Sequence, residues 1–161
     1  MLRMRGMSLV EMVITIVIIS LALVASLRAF SVLTGRSADG MIQTRSLDLA
    51  QLYFDEILSR RYDEDTGTNG VPTYTGACRI TDDGESRDNY DDVDDYDAIN
   101  NESPDTMDAS LVADYSGFLV TIDVACDNSI GTLAGGSKRV DISITDPTGD
   151  VSVFSVYKGN Y

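Results

Sequence analysis

The chain begins Met1-Leu-Arg-Met-Arg-Gly6-Met7-Ser-Leu-Val-Glu11 and continues as an apolar run to Leu27. Met7 to Leu27 make up 21 residues, and Glu11 is the only charged residue among them. About 20 apolar residues in a helix span the roughly 30 Å hydrocarbon core of a bilayer. The sequence therefore predicts one transmembrane helix with a single carboxylate near its start.

Glu11 needs a partner, because a charged side chain at bilayer depth costs at least about 2.5 kcal/mol. Cleavage after Gly6 would give Met7 a free α-amino group, which a Glu11 carboxylate on a neighbouring copy could neutralise. Ser8-Leu-Val-Glu11 also has the spacing of a capping box, in which Ser and Glu bind backbone N–H groups at a helix start. The capping box does not explain the basic leader or the glycine, and the two interpretations can coexist.

The leader differs from an ordinary secretory signal, which is cleaved after its apolar region at small residues. No A-x-A site closes this apolar run. Arg3 and Arg5 precede the run and favour a cytoplasmic N-terminus by the positive-inside rule. We therefore expect the rest of the chain to be periplasmic or extracellular.

Composition narrows the class of protein further. The 161 residues carry a formal charge of -14, which becomes -16 if Arg3 and Arg5 leave with the leader. Nucleic-acid binding needs a basic patch and is not expected. With no histidine, the chain lacks the usual triad base and the commonest metal ligand, and no Ser or Cys has a recognisable nucleophile context. We expect no enzymatic activity and no cofactor.

Two cysteines, Cys78 and Cys126, lie in the part predicted to be translocated. In an oxidising compartment such a pair favours a disulfide. A redox pair lacks its C-x-x-C motif, and a zinc site lacks a ligand cluster of the right spacing. Gly131-Thr-Leu-Ala-Gly-Gly136-Ser-Lys138 resembles a phosphate-binding loop, but Ser and Lys are in reversed order and the segment joins two predicted strands.

Periodicity beyond the apolar run predicts the remaining elements. A second helical stretch to about Arg61 is amphipathic, with apolar residues on one predicted face: Met41, Leu47, Ala50, Phe54, Ile57 and Leu58. A polar, loop-rich connector follows from Tyr62 to about Ala113. Period-two alternation then predicts three strands, Tyr115 to Cys126, Lys138 to Thr145 and Val151 to Lys158, with a turn at Asp146-Pro-Thr-Gly149.

The expected fold class is α+β, with a long N-terminal helix, first transmembrane and then amphipathic, packed on a small antiparallel sheet. The predicted organisation is a leader over 1–6, a helix over 7–61 with its membrane part at about 7–27, and an extracytoplasmic head over 62–161.

An acidic run in the connector is the remaining cluster of polar side chains. Clustered carboxylates are the hard oxygen ligands that Ca²⁺ prefers. The spacing does not match an EF-hand, and a solvated charged surface is the alternative. The residues that could bind calcium are Asp88, Asp91, Asp92, Asp94, Asp95 and Asp97.

The basic leader, Gly6, a hydrophobic residue, Ser-Leu-Val-Glu11 and the apolar helix together resemble the class III signal of type IV prepilins and type II secretion pseudopilins. This motif covers about 25 residues. The stretches Leu49 to Glu64 and Arg87 to Tyr96 look like those of D-type minor pilins of mannose-sensitive haemagglutinin (MSHA) pili. The family usually has Phe where this chain has Met7.

This resemblance implies a pilin-like fold and cleavage by prepilin peptidase between Gly6 and Met7, with N-methylation of Met7. It implies a low-copy minor pilin that helps to initiate or cap a pilus used in cell adhesion, and places Glu11 in assembly. The implied partners are other major and minor pilins, the inner-membrane assembly platform and the lipid bilayer. A type II secretion minor pseudopilin and a membrane-tethered periplasmic binding domain remain the alternatives.

Overall fold

A computed structural model describes residues 8–67, 73–81, 83–104, 108, 110, 113–127, 129–130 and 136–160, except for the side chains of residues 35–38. It contains one α-helix, α1 (Leu9–Ser59), and three strands, β1 (Leu119–Asp127), β2 (Ser137–Thr145) and β3 (Val151–Gly159). Two short 3₁₀ segments, Arg87–Asn89 and Asp94–Ala98, lie between the helix and the sheet in sequence. The predicted α+β fold is confirmed.

The chain divides into two compact units, Met1–Met41 and Ile42–Tyr161. The described part of the first unit is the N-terminal portion of α1. Its hydroxyl side chains donate to carbonyls one turn earlier, as Thr15 does to Glu11 O at 2.9 Å and Ser20 to Ile16 O at 2.7 Å. These bonds satisfy the hydroxyl groups within the helix, so the hydroxyl groups need no polar partner outside it.

The second unit is built on an antiparallel sheet with the order β1-β2-β3. Ile142 in the central strand is paired with Ile122 on one side and with Phe154 on the other. Gly149 adopts a φ of 92° in the turn between β2 and β3, where the Asp146 carboxylate accepts hydrogen bonds from backbone N–H groups of Thr148 and Asp150. The three predicted strands and their turn are thus confirmed within a few residues.

The head's core lies between the C-terminal part of α1 and the inward face of the sheet. The fully buried helix residues are Leu49, Ala50, Tyr53 and Ile57. Met41 and Leu47, which the sequence placed on the packed face, are more than two-fifths exposed. The predicted face was therefore right in part: Ala50 and Ile57 are buried and Phe54 packs against the core, but the prediction omitted Leu49 and Tyr53.

The connector is attached to the rest of the head by few backbone pairs and one covalent bond. Isolated β-bridges pair Arg61 with Asp92 and Glu102 with Val120. A disulfide joins Cys78 to Cys126 in β1, as predicted, across 48 positions of sequence. Because the connector contributes few large apolar residues to the core, we infer that this disulfide contributes much of the connector's stability.

We expect Cys78→Ser to lower the free energy of unfolding of the full-length protein in detergent by about 2–4 kcal/mol, because the unfolded chain gains the entropy of an open loop. Chemical denaturation under oxidising conditions measures the effect. Cys126→Ser is the matched variant and should give the same loss. A loss in one variant only, or none in either, would contradict a stabilising disulfide.

Candidate functional site

The N-terminal part of α1 presents apolar side chains on every side. All described side chains from Leu9 to Thr34 are exposed, and the most apolar window of the helix has no share of its surface buried within the chain. The helix is long and apolar enough to cross a membrane. A helix that is apolar all round needs lipid or other protein around it.

Glu11 lies exposed in the first turn of this helix. Ser8 immediately precedes the helix, and its carbonyl accepts the Met12 N–H at 3.1 Å. Gly6 and Met7, between which the leader is predicted to be cleaved, lie outside the described residues. The structure therefore places the predicted assembly carboxylate on the bare apolar surface, at the end of the helix nearest the predicted cleavage position.

The acidic run of the connector is folded into the head. Most of its carboxylates already bind groups of the protein. Two of them form ion pairs, Asp91 with Arg61 and Asp94 with Lys138. Three accept hydrogen bonds from backbone N–H groups: Asp92 from Asp94, Asp95 from Asp91 and Asp92, and Asp97 from Val124. Asp88 is exposed in the first 3₁₀ segment.

One of these aspartates contributes to a group of carboxylates with metal-ligand spacing. Oxygens of Asp83, Glu85 and Asp95 all lie within 4.8 Å of one another. Burial and the charges of Asp83 and Asp95 raise the pKa of Glu85. Among the described residues, the other five predicted ligands do not join this group. A calcium site in the connector stays a prediction, and these three carboxylates are where the structure would allow it.

A buried charged cluster lies beneath the acidic run. Lys138, at the start of β2, is fully buried, and its Nζ lies 2.5 Å from Asp94 Oδ1 and 3.6 Å from Asp63 Oδ2. The same Nζ donates to Tyr62 O at 2.6 Å and lies 4.6 Å from the centre of the Tyr62 ring. Lys138 thus joins the segment that directly follows α1 to the acidic run.

The two buried carboxylates of this cluster have opposite pKa shifts. Burial raises the pKa of Asp94 to about 6, although Lys138 partly opposes the shift. Burial also acts to raise the pKa of Asp63, but hydrogen bonds from Arg79 and from the Asp65 N–H, with the Lys138 charge, bring it below its ordinary value. Asp63 is therefore the more strongly ionised partner of Lys138.

A second polar network holds the connector to α1. Glu56 accepts from Arg87 Nη2 at 2.8 Å and from the Tyr96 hydroxyl at 2.8 Å, and Arg60 Nη2 lies 3.3 Å from it. The Arg87 guanidinium also lies 4.8 Å from the centre of the Tyr96 ring. Burial opposes ionisation of Glu56, but these hydrogen bonds and the Arg87 charge lower its pKa.

The sequence prediction missed Lys138, Asp63 and Glu56. A signal for Lys138 was present, because it has the same strand parity as Val140, Ile142 and Ile144, whose side chains face the core. A lysine at an inward position must find buried acceptors. Arg60, four residues after Glu56, is a local partner, but Arg87 and Tyr96 lie 31 and 40 positions away from Glu56. Asp63 is likewise 16 positions from Arg79 and far from Lys138, so local patterns did not reveal either cluster.

Comparisons of the chain with protein-family models, with curated proteins and with solved structures find no match.

We expect Glu56→Gln to lower the free energy of unfolding by about 1–3 kcal/mol at neutral pH, because charged hydrogen bonds to Arg87 and Arg60 are lost. The depressed pKa means that this stabilisation is present above the ordinary Glu pKa of about 4.3 and disappears as pH falls through the lower folded-state value. The variant should therefore lose less stability than the wild type on acidification.

Denaturant unfolding between neutral and acidic pH measures both effects. Asp55→Asn is the control, because Asp55 precedes Glu56 on the same helix and is exposed. An equal loss in the two variants, or an unchanged pH profile in Glu56→Gln, would show that the network does not stabilise the head through the Glu56 charge.

Proposed function

We propose that this chain is a minor type IV pilin, a structural subunit without catalytic activity that initiates or caps an MSHA-like pilus. The observation that carries the proposal is the α1 surface from Leu9 to Thr34, which is apolar and exposed within the chain, with Glu11 in its first turn. The prepilin-like signal that precedes this helix supports the assignment.

The apolar surface explains two successive locations of one subunit. Before assembly, lipid covers the helix, and the protein is a single-pass inner-membrane protein with its C-terminus in the periplasm. After extraction from the bilayer the same surface would face water, and burial of apolar area gains about 25 cal/mol per Å². Helices of neighbouring major and minor pilins provide that cover in a pilus, so assembly replaces lipid with protein.

Glu11 gives this assembly a direction and a register. An uncompensated carboxylate in the bilayer is unfavourable, and pairing with the α-amino group of Met7 on an adjacent subunit would remove that cost. The charge pair would form at one axial offset between helices, because both groups lie close to the helix start. A membrane tether has no need of such a carboxylate, which favours the pilin over the tethered binding domain.

The processing steps follow from the same assignment. Prepilin peptidase would cleave between Gly6 and Met7 and N-methylate Met7, after which the subunit would bind the inner-membrane assembly platform. The disulfide between Cys78 and Cys126 suits an extracytoplasmic head. A minor pseudopilin of type II secretion would share all of these steps, and the fibre in which the protein is found separates the two.

We expect mass spectrometry of the mature protein to place its N-terminus at Met7 in cells with active prepilin peptidase. Gly6→Val should block this processing, because a side chain at the cleavage position would not fit a site built for glycine. Gly40→Val is the control, since space around Gly40 is open and it lies far from the leader. An intact leader in the wild type, or normal processing of Gly6→Val, would contradict the prepilin assignment.

We expect Glu11→Gln to leave membrane insertion and leader cleavage intact while reducing the protein's incorporation into pili severalfold. Insertion should become easier, because the polar cost at bilayer depth falls when the charge is removed. Fractionation of cells into membranes and sheared pili, with a count of surface pili, measures the two effects.

Asp48→Asn is the matched control, because it removes one carboxylate from an exposed position of the same helix outside the apolar part. Glu11→Ala separates charge from capping, since Gln can still act in a capping box whereas Ala cannot. Equal incorporation of Glu11→Gln and wild type, with equal piliation, would show that the Glu11 charge does not act in assembly. Absence of the wild-type protein from sheared pili would replace the pilin by the membrane-tethered domain. Incorporation into a secretion pseudopilus instead would identify the pseudopilin.

A further inference from the structure

The amine of Lys138 is held against a carboxyl group in a site closed to solvent. Lys138 is 0% exposed and Asp94 is 2% exposed, and their Nζ and Oδ1 atoms are 2.5 Å apart. Among the described residues, no hydrogen bond of ordinary geometry reaches Asp94 Oδ1. The amine nitrogen therefore lies in direct contact with this carboxyl oxygen.

The two oxygens of Asp94 have different surroundings. Oδ2 accepts a hydrogen bond from the Thr81 N–H at 3.2 Å, whereas Oδ1 faces the Lys138 amine. A backbone donor on one oxygen polarises the carbonyl and stabilises negative charge that develops there when a nucleophile attacks the carbon. The opposite oxygen is then the one that can depart.

A third buried group completes the site. Asp63 is 1% exposed, and its Oδ2 lies 3.6 Å from Lys138 Nζ. Arg79 binds both oxygens of Asp63, with distances of 3.2 and 3.0 Å, and fixes its position. This separation is slightly longer than a hydrogen bond, so a small shift of the amine, or one bridging water, brings the carboxylate within reach of its proton.

We propose that Lys138 and Asp94 join through an intramolecular isopeptide bond, with Asp63 as the base. The Nζ–Cγ bond forms and the Cγ–Oδ1 bond breaks. Of the three ammonium hydrogens, one stays on the amide nitrogen and two end on the departing oxygen. Asp63 accepts protons from the Lys138 nitrogen and donates them to the departing oxygen, so it ends ionised as it began. One ammonium and one carboxylate thus become one amide and one water, with no oxidant or cofactor.

The electrostatics of the cluster suit this division of roles. Burial raises the pKa of Asp94 to about 6, which increases the fraction of the protonated acid, the form that an amine can attack. The pKa of Asp63 is lowered, chiefly by Arg79 against the effect of burial, which keeps it ionised as a proton acceptor. The two carboxyl groups therefore differ in the direction that the reaction needs.

The surroundings favour the amide once it has formed. A cavity of about 100 Å³ is lined in part by Asp63, Thr81 and Asp94, and offers room for the released water. Lys138 itself is fully buried, which limits hydrolysis of the bond. The link would attach the second 3₁₀ segment to β2, as the disulfide attaches the Cys78 region to β1.

Mass spectrometry of the full-length, reduced protein purified from cells tests the proposal directly. We expect a mass lower by one water than the processed sequence requires. Trypsin should release a peptide spanning 88–139 that lacks one water, because an acylated Lys138 is no longer a cleavage site. A peptide spanning 88–138 of full mass would overturn the proposal.

Lys138→Arg is the matched control, because it keeps the positive charge but has no nucleophilic amine. Its mass should show no loss of water. The same loss in Lys138→Arg would overturn the isopeptide, since an aspartate can also lose water by cyclising on its own backbone. In the wild type, fragmentation of the 88–139 peptide must place the link between Lys138 and Asp94, and any other location would overturn it too.

Asp63→Asn tests the base. Newly synthesised protein sampled over time should lose water about 100-fold more slowly than the wild type, the low end of the usual general-base effect. Asp63→Glu, which restores a carboxylate, should recover part of the rate, and raising the pH should not rescue Asp63→Asn. Equal rates in wild type and Asp63→Asn would exclude Asp63 as the base.

Discussion

The apolar surface on the N-terminal part of α1 is the constraint on which the rest of the molecule depends. From Leu9 to Thr34 no described side chain is covered by the chain's own fold. Exposure of such a surface to water is unfavourable, so lipid or other helices must cover it. The head must therefore fold and remain stable without help from this part of the helix.

The head meets that requirement with a small apolar core and a large amount of buried charge. Its core consists of one stripe of α1 and the inward face of the sheet, to which the connector adds Tyr90, Val93, Tyr96 and Ile99, with Ile80 packed against them. Burying charge is costly unless every charge is paired. The connector is accordingly held by two ionic clusters, one centred on Lys138 and one on Glu56, and by the disulfide between Cys78 and Cys126.

The structure gives the acidic run a different role from those that the sequence suggested. Five of its six aspartates accept hydrogen bonds from backbone N–H groups or form ion pairs within the head. Their carboxylate oxygens thus serve first as acceptors for donors that are shielded from water. A cation in this region would have to bind carboxylates that have remaining oxygen lone pairs, as Asp83 and Glu85 do at the exposed edge. The Lys138 cluster, by contrast, is enclosed enough for chemistry between its own side chains.

Sequence alone determined the elements whose signal is local. The apolar run, the period-two strands and the turn at Asp146 to Gly149 each depend on neighbours in the chain, and the structure has all three. The two cysteines also paired as predicted, because there were no others to choose from. Only the tertiary structure decided which helix face is buried and where the charges of the connector go. Lys138 meets Asp63 and Asp94 across 75 and 44 positions of sequence, and long-range pairings of this kind arise when the core packs, not from any local periodicity.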